Sequence, residues 1–263
     1  MSVNSYLESL ASKLVLKNEE KEHISTSIET IGSRINSYFG SGVNLHFQFG
    51  SSTRGTILPR KADQNSDIDY MIVFDTSSGT FKPQTYLDRL RRFADHYYAR
   101  SDIYQSHPTL VLELRHIKFE LVPAIRHGFS QYQIPSPPNG WNDWLVTNPN
   151  GFNTRLTNVN TNNNFQIKPL VRLIKYWNVL NGRPFSSYDL ENYIVSMSFW
   201  LCSSLKSYFY FFWDNISCSW DTSQYIKDKV QRAKDTVATI RQNEQHEYED
   251  LAERQLRNFL PEV

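Results

Sequence analysis

The sequence is short of cysteine and methionine, carries almost no net charge and contains no long apolar run. Each shortage removes a class of answer. Cys202 and Cys218 are the only cysteines in 263 residues, too few for a disulfide framework, and they form no ligand pattern with the seven histidines. They read as reduced, cytosolic thiols. A net charge of +1 lacks the basic bias of proteins that grip long RNA or DNA through many phosphates. The clusters at Arg54, Arg60 and Lys61 and at Arg89, Arg91 and Arg92 read as ordinary solvated charge, or as sites for a short oligonucleotide. No uninterrupted apolar stretch approaches the roughly 20 residues of a membrane helix. Ser2 to Ser12 lacks the basic and then apolar pattern of a secretion signal, so a cytoplasmic location is expected.

What is present is enough apolar material for a substantial core, 40% hydrophobic and 14% aromatic, and one informative motif. Phe49-Gly50-Ser51-Ser52-Thr53-Arg54-Gly55-Thr56 reads as a strand end and a Gly/Ser turn. Ser66-Asp67-Ile68-Asp69-Tyr70-Met71-Ile72-Val73-Phe74 reads as a strand that opens on two carboxylates. Side chains alternate along a strand, so Asp67 and Asp69 share a face and Ile68 points to the core. Paired carboxylates call for a counter-charge, and Mg²⁺ takes oxygen ligands while keeping substrate phosphates in its shell. The Gly/Ser turn offers close backbone approach and N–H donors to a phosphate. A lone Asp-x-Asp is common, and Asp67 alone reads equally well as a turn residue. The conjunction describes a metal-dependent site for a nucleoside triphosphate. Two-metal transfer, with ions about 3.5–4 Å apart, wants a third acid from a neighbouring strand. Thr109 to Pro123 offers Glu113 and Glu120. Glu120, between Phe119 and Leu121, needs a partner more than Glu113 does and is the preferred candidate.

Gly50-Ser51, Asp67-x-Asp69 and Glu120-Leu121-Val122-Pro123-Ala124 resemble the DNA-polymerase-β-type nucleotidyltransferases, and within them the bacterial anti-phage enzymes related to cyclic-GMP-AMP synthases. Most of that group have Asp where this chain has Glu120. The resemblance covers roughly residues 40–200. It implies an α+β, bilobal polymerase-β-like fold, with a mixed-sheet lobe bearing the acids and a C-terminal helical lobe. Residues 1–135 would form the catalytic lobe and residues 136–263 the helical lobe with its charged tail. Asp67, Asp69 and Glu120 would be the catalytic and metal-binding acids, holding two Mg²⁺ ions for which Mn²⁺ can substitute. In the second half, Ile167 to Asn178 shows helical spacing of Leu170, Leu173, Ile174 and Trp177. Phe185 to Glu191 opens another helix, with Ser186 or Ser187 as cap. By the resemblance, Gly50, Ser51, Lys175 and Ser187 bind the triphosphate and Tyr188 stacks on the base. The blander alternative is an amphipathic helix whose solvent face carries Lys168, Arg172 and Lys175, followed by a capped helix with a core tyrosine.

The rest of the chain reads as follows. Tyr6 to Phe39 is one helix or two on the outside of the catalytic sheet. Leu45 to Phe49 and Asp67 to Phe74 are strands, and Leu110 to Ile125 supplies one or two more. Pro83 to Arg100 is a helix with Tyr86, Leu90, Phe93 and Tyr97 on one stripe. Pro135 to Gly140 is a loop or hinge. Trp141 to Asn164 is irregular, and a helical lobe follows from Gln166. Tyr193 to Trp213 is a buried helix whose aromatic end, Tyr208 to Trp213, alternatively forms part of a partner surface. From Ser223 the chain is helical, with Ile226, Val230, Ala233, Val237 and Ile240 on one stripe. Asn243 to Asp250 is acidic and mobile.

The leading functional expectation is a template-independent nucleotidyltransferase that consumes NTPs or dNTPs, with adenine favoured by the resemblance, releases pyrophosphate and makes a short signalling oligonucleotide in anti-phage defence. Its product would control a membrane or other effector protein, and the enzyme itself would be a candidate homo-oligomer. The chain also resembles the minimal nucleotidyltransferases of the anti-phage system called Hailong, which build linear DNA oligomers from a hydroxyl on their own C-terminus. Tyr248, the last side-chain hydroxyl in the chain, would then be the primer. The alternatives are a cyclic oligonucleotide second-messenger synthase, a toxin or antitoxin transferase acting on tRNA or protein, and a catalytically inert nucleotide-binding module.

Overall fold

A computed structural model of the chain describes residues 2–106, 108–136 and 143–263. In chain order the elements are α1 (Val3–Lys13), α2 (Asn18–Phe39), β1 (Val43–Phe49), α3 (Gly50–Arg54), β2 (Asp67–Phe74), α4 (Pro83–Tyr97), β3 (Asp102–Ser106), β4 (Thr109–Glu113), β5 (Lys118–His127), β6 (Gln131–Pro135), β7 (Trp144–Thr147), α5 (Pro149–Asn162), α6 (Ile167–Leu180), α7 (Ser187–Ser196), α8 (Leu205–Asn215), α9 (Gln224–Gln245) and α10 (Glu249–Phe259). They form two compact units. One comprises Leu16–Arg60 and Asn65–Arg155; the other comprises the residues up to Val15, Lys61–Gln64 and Leu156–Val263.

The first unit is built on a mixed sheet of strand order β1-β2-β5-β4-β3, with β6 on the far end of β5 and β7 on β6. β2 and β5 run parallel, and the other pairings are antiparallel. One face carries Ile68, Tyr70, Ile72 and Phe74 of β2, Phe119, Leu121 and Ile125 of β5, and Leu110 and Leu112 of β4, buried in one cluster with residues of α2 and α4. The helices supply matching stripes, Ile24, Ile31 and Ile35 from α2 and Tyr86, Leu90 and Phe93 from α4. Each such side chain contributes about 1.5–3 kcal/mol on burial. Pro83 starts α4 at a position where a missing N–H costs nothing, and the Glu20 carboxylate accepts from the Lys17 N–H at 2.9 Å at the start of α2. The opposite face is apolar at one end, where Phe47, Phe49, Met71, Val73, Ala124, Tyr132 and Ile134 cluster.

The second unit is helical, with α6 at its centre. Ile167 and every residue from Leu170 to Asn178 are buried, so α6 has no solvent face over that span. Arg172 and Lys175 are therefore interior residues, not members of a cationic surface. α1 and α8 pack on α6, and Trp177 meets Trp213 edge-on at 4.8 Å between ring centroids. Tyr208, Phe209, Tyr210, Phe212 and Trp213 are buried, so the aromatic run is core.

Three further expectations are corrected. α2 lies on the sheet as expected, but α1 belongs with the helices. Its stripe of Val3, Tyr6, Leu7, Leu10 and Ala11 is buried in that unit, and the Tyr6 hydroxyl donates to the Leu260 carbonyl at 2.6 Å. Trp141 to Asn164, expected to be irregular, contains β7 and α5. Tertiary burial of Phe152 and Leu156 overrides the weak helix propensity of Asn and Thr. Tyr193 to Trp213 is broken after Ser196 and restarts at Leu205, because the Ser204 and Ser207 side chains cap a new helix start. In keeping with the helical reading from Ser223, α9 is followed by α10, which buries Ala252 and Leu256 and packs on α9. Residues 137–142, which include most of the expected hinge, lie outside the described residues.

α7 begins where the sequence suggested, and Ser186 is the cap. Its Oγ accepts from the Asp189 N–H at 3.0 Å and donates to Asp189 Oδ2 at 2.6 Å. Ser186→Ala is expected to lower stability by about 1 kcal/mol, read as a shift of the urea midpoint with an unchanged slope. No shift would mean that solvent caps this helix equally well.

Candidate active site

The N-terminal ends of β2 and β5 lie side by side. Asp67 is the register partner of Lys118, and Asp69 is the partner of Glu120. Directly paired residues project to the same side of a sheet, so these four polar side chains form the other end of the face that carries the Met71–Ala124 cluster. β4 extends this face, with Val111 beside Glu120 and Glu113 beside Lys118. Glu120 thus adjoins Asp69, whereas Glu113 lies one strand further out and accepts a hydrogen bond from the Tyr104 hydroxyl at 2.9 Å.

β1 brings Phe49 into register with Asp69, and the chain then turns into α3. Gly50 makes that turn at φ +75°, and a Cβ built on it would lie 1.7 Å from Asp69 Oδ2. The backbone rests directly on the carboxylate, at a distance that only glycine permits. The turn is held from several sides. The Ser51 carbonyl accepts from the N–H groups of Thr56 and Ile57 at 3.1 and 3.2 Å. Thr53 Oγ1 donates to the Gly50 carbonyl at 2.9 Å, and Gln48 Nε2 donates to Ser52 Oγ at 2.8 Å.

Lys118 was not among the sequence candidates. Its Nζ lies 3.4 Å from Asp67 Oδ2 and 3.5 Å from Glu120 Oε1, with the side chain 14% exposed. The alternation Lys118-Phe119-Glu120 carried the signal, but only the register of β5 against β2 reveals that Lys118 faces Asp67. Burial raises the Glu120 pKa above the ordinary glutamate value and the Asp67 charge raises it further, with Lys118 opposing. Burial works against the Lys118 charge, but Asp67 and Glu120 outweigh it and hold the ammonium above the usual lysine value. The sign for Glu120 follows from linkage. The folded chain binds that proton more tightly than the unfolded chain, so this group subtracts stability as pH rises above the ordinary glutamate range. A divalent cation held there would offset that cost.

Among the described residues, no three His, Cys, Asp or Glu side chains are gathered closely enough to form a ready-made metal cage; Lys118 stands between two of the acids. The donor chemistry nevertheless fits a hard divalent cation. Three carboxylates project from one face of adjacent strands, and the missing side chain of Gly50 leaves room for the Asp69 carboxylate to lie against the turn.

The remaining candidates belong to the helical unit. Lys175 Nζ donates to Glu191 Oε1 at 3.0 Å, and both side chains are buried. Ser187 is the first residue of α7, and Tyr188 is 54% exposed, so it is not a core tyrosine. Tyr248 is 61% exposed at the break between α9 and α10.

Residues 1–160 match the family described as "Second Messenger Oligonucleotide or Dinucleotide Synthetase domain". The chain is 32% identical over 105 residues to a probable cyclic nucleotide synthase of Bacillus cereus, covering 37% of this chain and 31% of that protein. It is 31% identical over 143 residues to a cyclic AMP-AMP-AMP synthase of Acinetobacter sp., covering 52% of this chain and 40% of that protein. The matches thus span well under half the length of either relative. Among solved structures, the CD-NTase CdnG of Bradyrhizobium diazoefficiens in complex with GTP superposes with a TM-score of 0.71 at 12% identity, covering 97% of this chain and 98% of that one. Apo DncV of Vibrio cholerae superposes at 0.70 and 12% identity, covering 87% of each chain. These likenesses place the α+β architecture in the polymerase-β-like fold of the CD-NTases. With more than half of its length matched, the chain belongs to the second messenger oligonucleotide or dinucleotide synthetase family.

Proposed function

We propose that the chain is a metal-dependent, template-independent nucleotidyltransferase that joins nucleotides from nucleoside triphosphates into a cyclic oligonucleotide. The observation that carries this reading is the placement of Asp67, Asp69 and Glu120 on adjacent parallel strands beneath the Gly50 turn, within a chain of this family. Two relatives named as cyclic nucleotide synthases favour the cyclic product. A neighbour solved with ATP and another solved with GTP favour ribonucleotide substrates.

In the reaction, an acceptor hydroxyl attacks the α-phosphorus, the bond to the β-phosphate breaks and pyrophosphate leaves. Asp67, Asp69 and Glu120 would hold two Mg²⁺ ions, or Mn²⁺ in their place. The chemistry such ions supply is charge neutralisation on the triphosphate and acidification of the acceptor hydroxyl. The chain itself contributes positioning. The Gly50-Ser51 backbone borders the acids, and Lys175, Ser187 and Tyr188 are the proposed triphosphate and base contacts. A role in cytoplasmic anti-phage signalling, through an effector that reads the product, follows from the same reading. One neighbour was solved in complex with a HORMA protein, which makes a protein partner a further proposal for this chain.

The test is incubation with each of the four NTPs and four dNTPs in Mg²⁺ or Mn²⁺, with pyrophosphate and product mass measured. A cyclic ribonucleotide mass is expected. One observation favours a second reading, self-primed linear DNA synthesis: the Tyr248 hydroxyl side chain is exposed at the break between α9 and α10. Intact-protein mass separates the two. Deoxynucleotide increments on the protein, lost in Tyr248→Phe, would replace the cyclic reading with the linear one.

A further inference from the structure

Lys118 stands where a cation belongs. Its ammonium touches Asp67 and Glu120 at almost equal distances, 3.4 and 3.5 Å. Both exceed the 2.7–2.9 Å of a tight charge-assisted hydrogen bond, so the ammonium is shared between the acids rather than locked onto one. A third carboxylate lies on the neighbouring strand, across from the Lys118 stem. Glu113 is the register partner of Lys118 on β4 and lies on the same face, held by the Tyr104 hydroxyl. The sheet therefore offers the ammonium two stations, one between Asp67 and Glu120 and one beside Glu113.

We propose that Lys118 is a tethered counter-ion that guards the acid pair. In the nucleotide-free enzyme it occupies Asp67 and Glu120 and competes with a divalent cation for them; when nucleotide and cation arrive together it moves to Glu113. This inference rests on the reading of this face as a cation site. Its consequence is that the chain binds divalent cation weakly until the triphosphate supplies further oxygen ligands, which limits futile loading of the site. An ammonium and a divalent cation cannot share the same carboxylate lone pairs at contact distance, because two positive centres there repel each other.

The test uses the full chain and Mn²⁺, with free Mn²⁺ followed by electron paramagnetic resonance in the absence of nucleotide. Lys118→Met keeps the stem and removes the charge, and is expected to bind Mn²⁺ about tenfold more tightly than wild type. Lys118→Arg keeps the charge and is expected to stay within about twofold. With a non-hydrolysable triphosphate present, the wild type and Lys118→Met should converge. Unchanged or weaker Mn²⁺ binding by Lys118→Met overturns the proposal. If that variant does not fold, Glu113→Gln carries the test: it removes the second station and should weaken Mn²⁺ binding in the presence of nucleotide by about threefold, and no change overturns the proposal. Asp67→Asn combined with Glu120→Gln separates the two readings. Mn²⁺ binding that survives this double change shows that the cation site itself is misplaced, whereas binding that is lost with it but indifferent to Lys118 removes only the guard.

Discussion

The Asp67→Ala, Asp69→Ala double variant is expected to lose pyrophosphate release by about 10⁴-fold or more while keeping its fold. The size of the loss follows from what the carboxylates would do. If they hold the cations that neutralise a triphosphate and acidify the attacking hydroxyl, removing them deletes several kcal/mol of charge stabilisation that no nearby group can replace. Retention of the fold follows from where they sit. Asp67 and Asp69 are half-buried at the N-terminal end of β2, while the residues that secure the strand, Ile68, Tyr70, Ile72 and Phe74, face the helices. Removing Asp67 also relieves its repulsion of Glu120, and Glu120 remains as a partner for Lys118. A melting temperature within a few degrees of wild type, together with absent product, is the expected pair of readings. Activity within tenfold of wild type would take these acids out of the mechanism. A collapsed melting temperature would make them structural.

Much of this site was legible in the sequence because its parts are local. The Gly50-Ser51 turn, the alternation at Asp67 and Asp69 and the apolar run to Phe74 are short-range patterns, and β2 spans the residues that the alternation indicates. The parts that were not legible depend on pairing between distant segments. Nothing in the chain around Lys118 states that it faces Asp67, because the parallel register of β5 on β2 joins residues about 50 positions apart. The same holds for α1. Its amphipathic stripe predicts a helix but not which unit buries it, and the partners are α6, α8 and α10, far along the chain. The burial of Arg172 and Lys175 was not legible for a related reason. Cations at helical spacing usually mark a solvent face, but here Arg172 Nε donates to the Ala11 carbonyl at 3.2 Å and Lys175 has Glu191, partners that come from other helices. Burial presses the Arg172 pKa down to about 10, the cost of placing a guanidinium in the centre of a helical unit. In α5, Asn and Thr suggested a loop, and burial of Phe152 and Leu156 decided otherwise.

Gly50→Ala is expected to lower activity by about 100-fold or more with only a modest loss of stability. Two effects of the new methyl group must be separated. The first is backbone strain: φ is +75° at Gly50, and alanine there costs about 1–2 kcal/mol. The second is collision. The methyl carbon would lie 1.7 Å from Asp69 Oδ2, 2.5 Å from its Cγ and 2.9 Å from its Cβ, so the overlap is with the whole carboxylate and cannot be relieved at a flexible tip. Asp69 must rotate away or the turn must rise off the sheet. Either movement displaces a proposed cation ligand by an ångström or more, a shift that commonly costs two orders of magnitude in rate. Gly55 supplies the control. It has nearly the same φ, +71°, and ends the same short helix, but a Cβ built on it has nothing within 4 Å. Gly55→Ala should therefore show the strain without the collision: a smaller fall in melting temperature and near wild-type pyrophosphate release. If both variants lose activity equally, the turn matters through its flexibility, and the close seat of Gly50 on Asp69 is incidental. If Gly50→Ala alone fails, and its apparent Mn²⁺ requirement rises, the glycine is there because Asp69 occupies the space in which any other residue would place its Cβ.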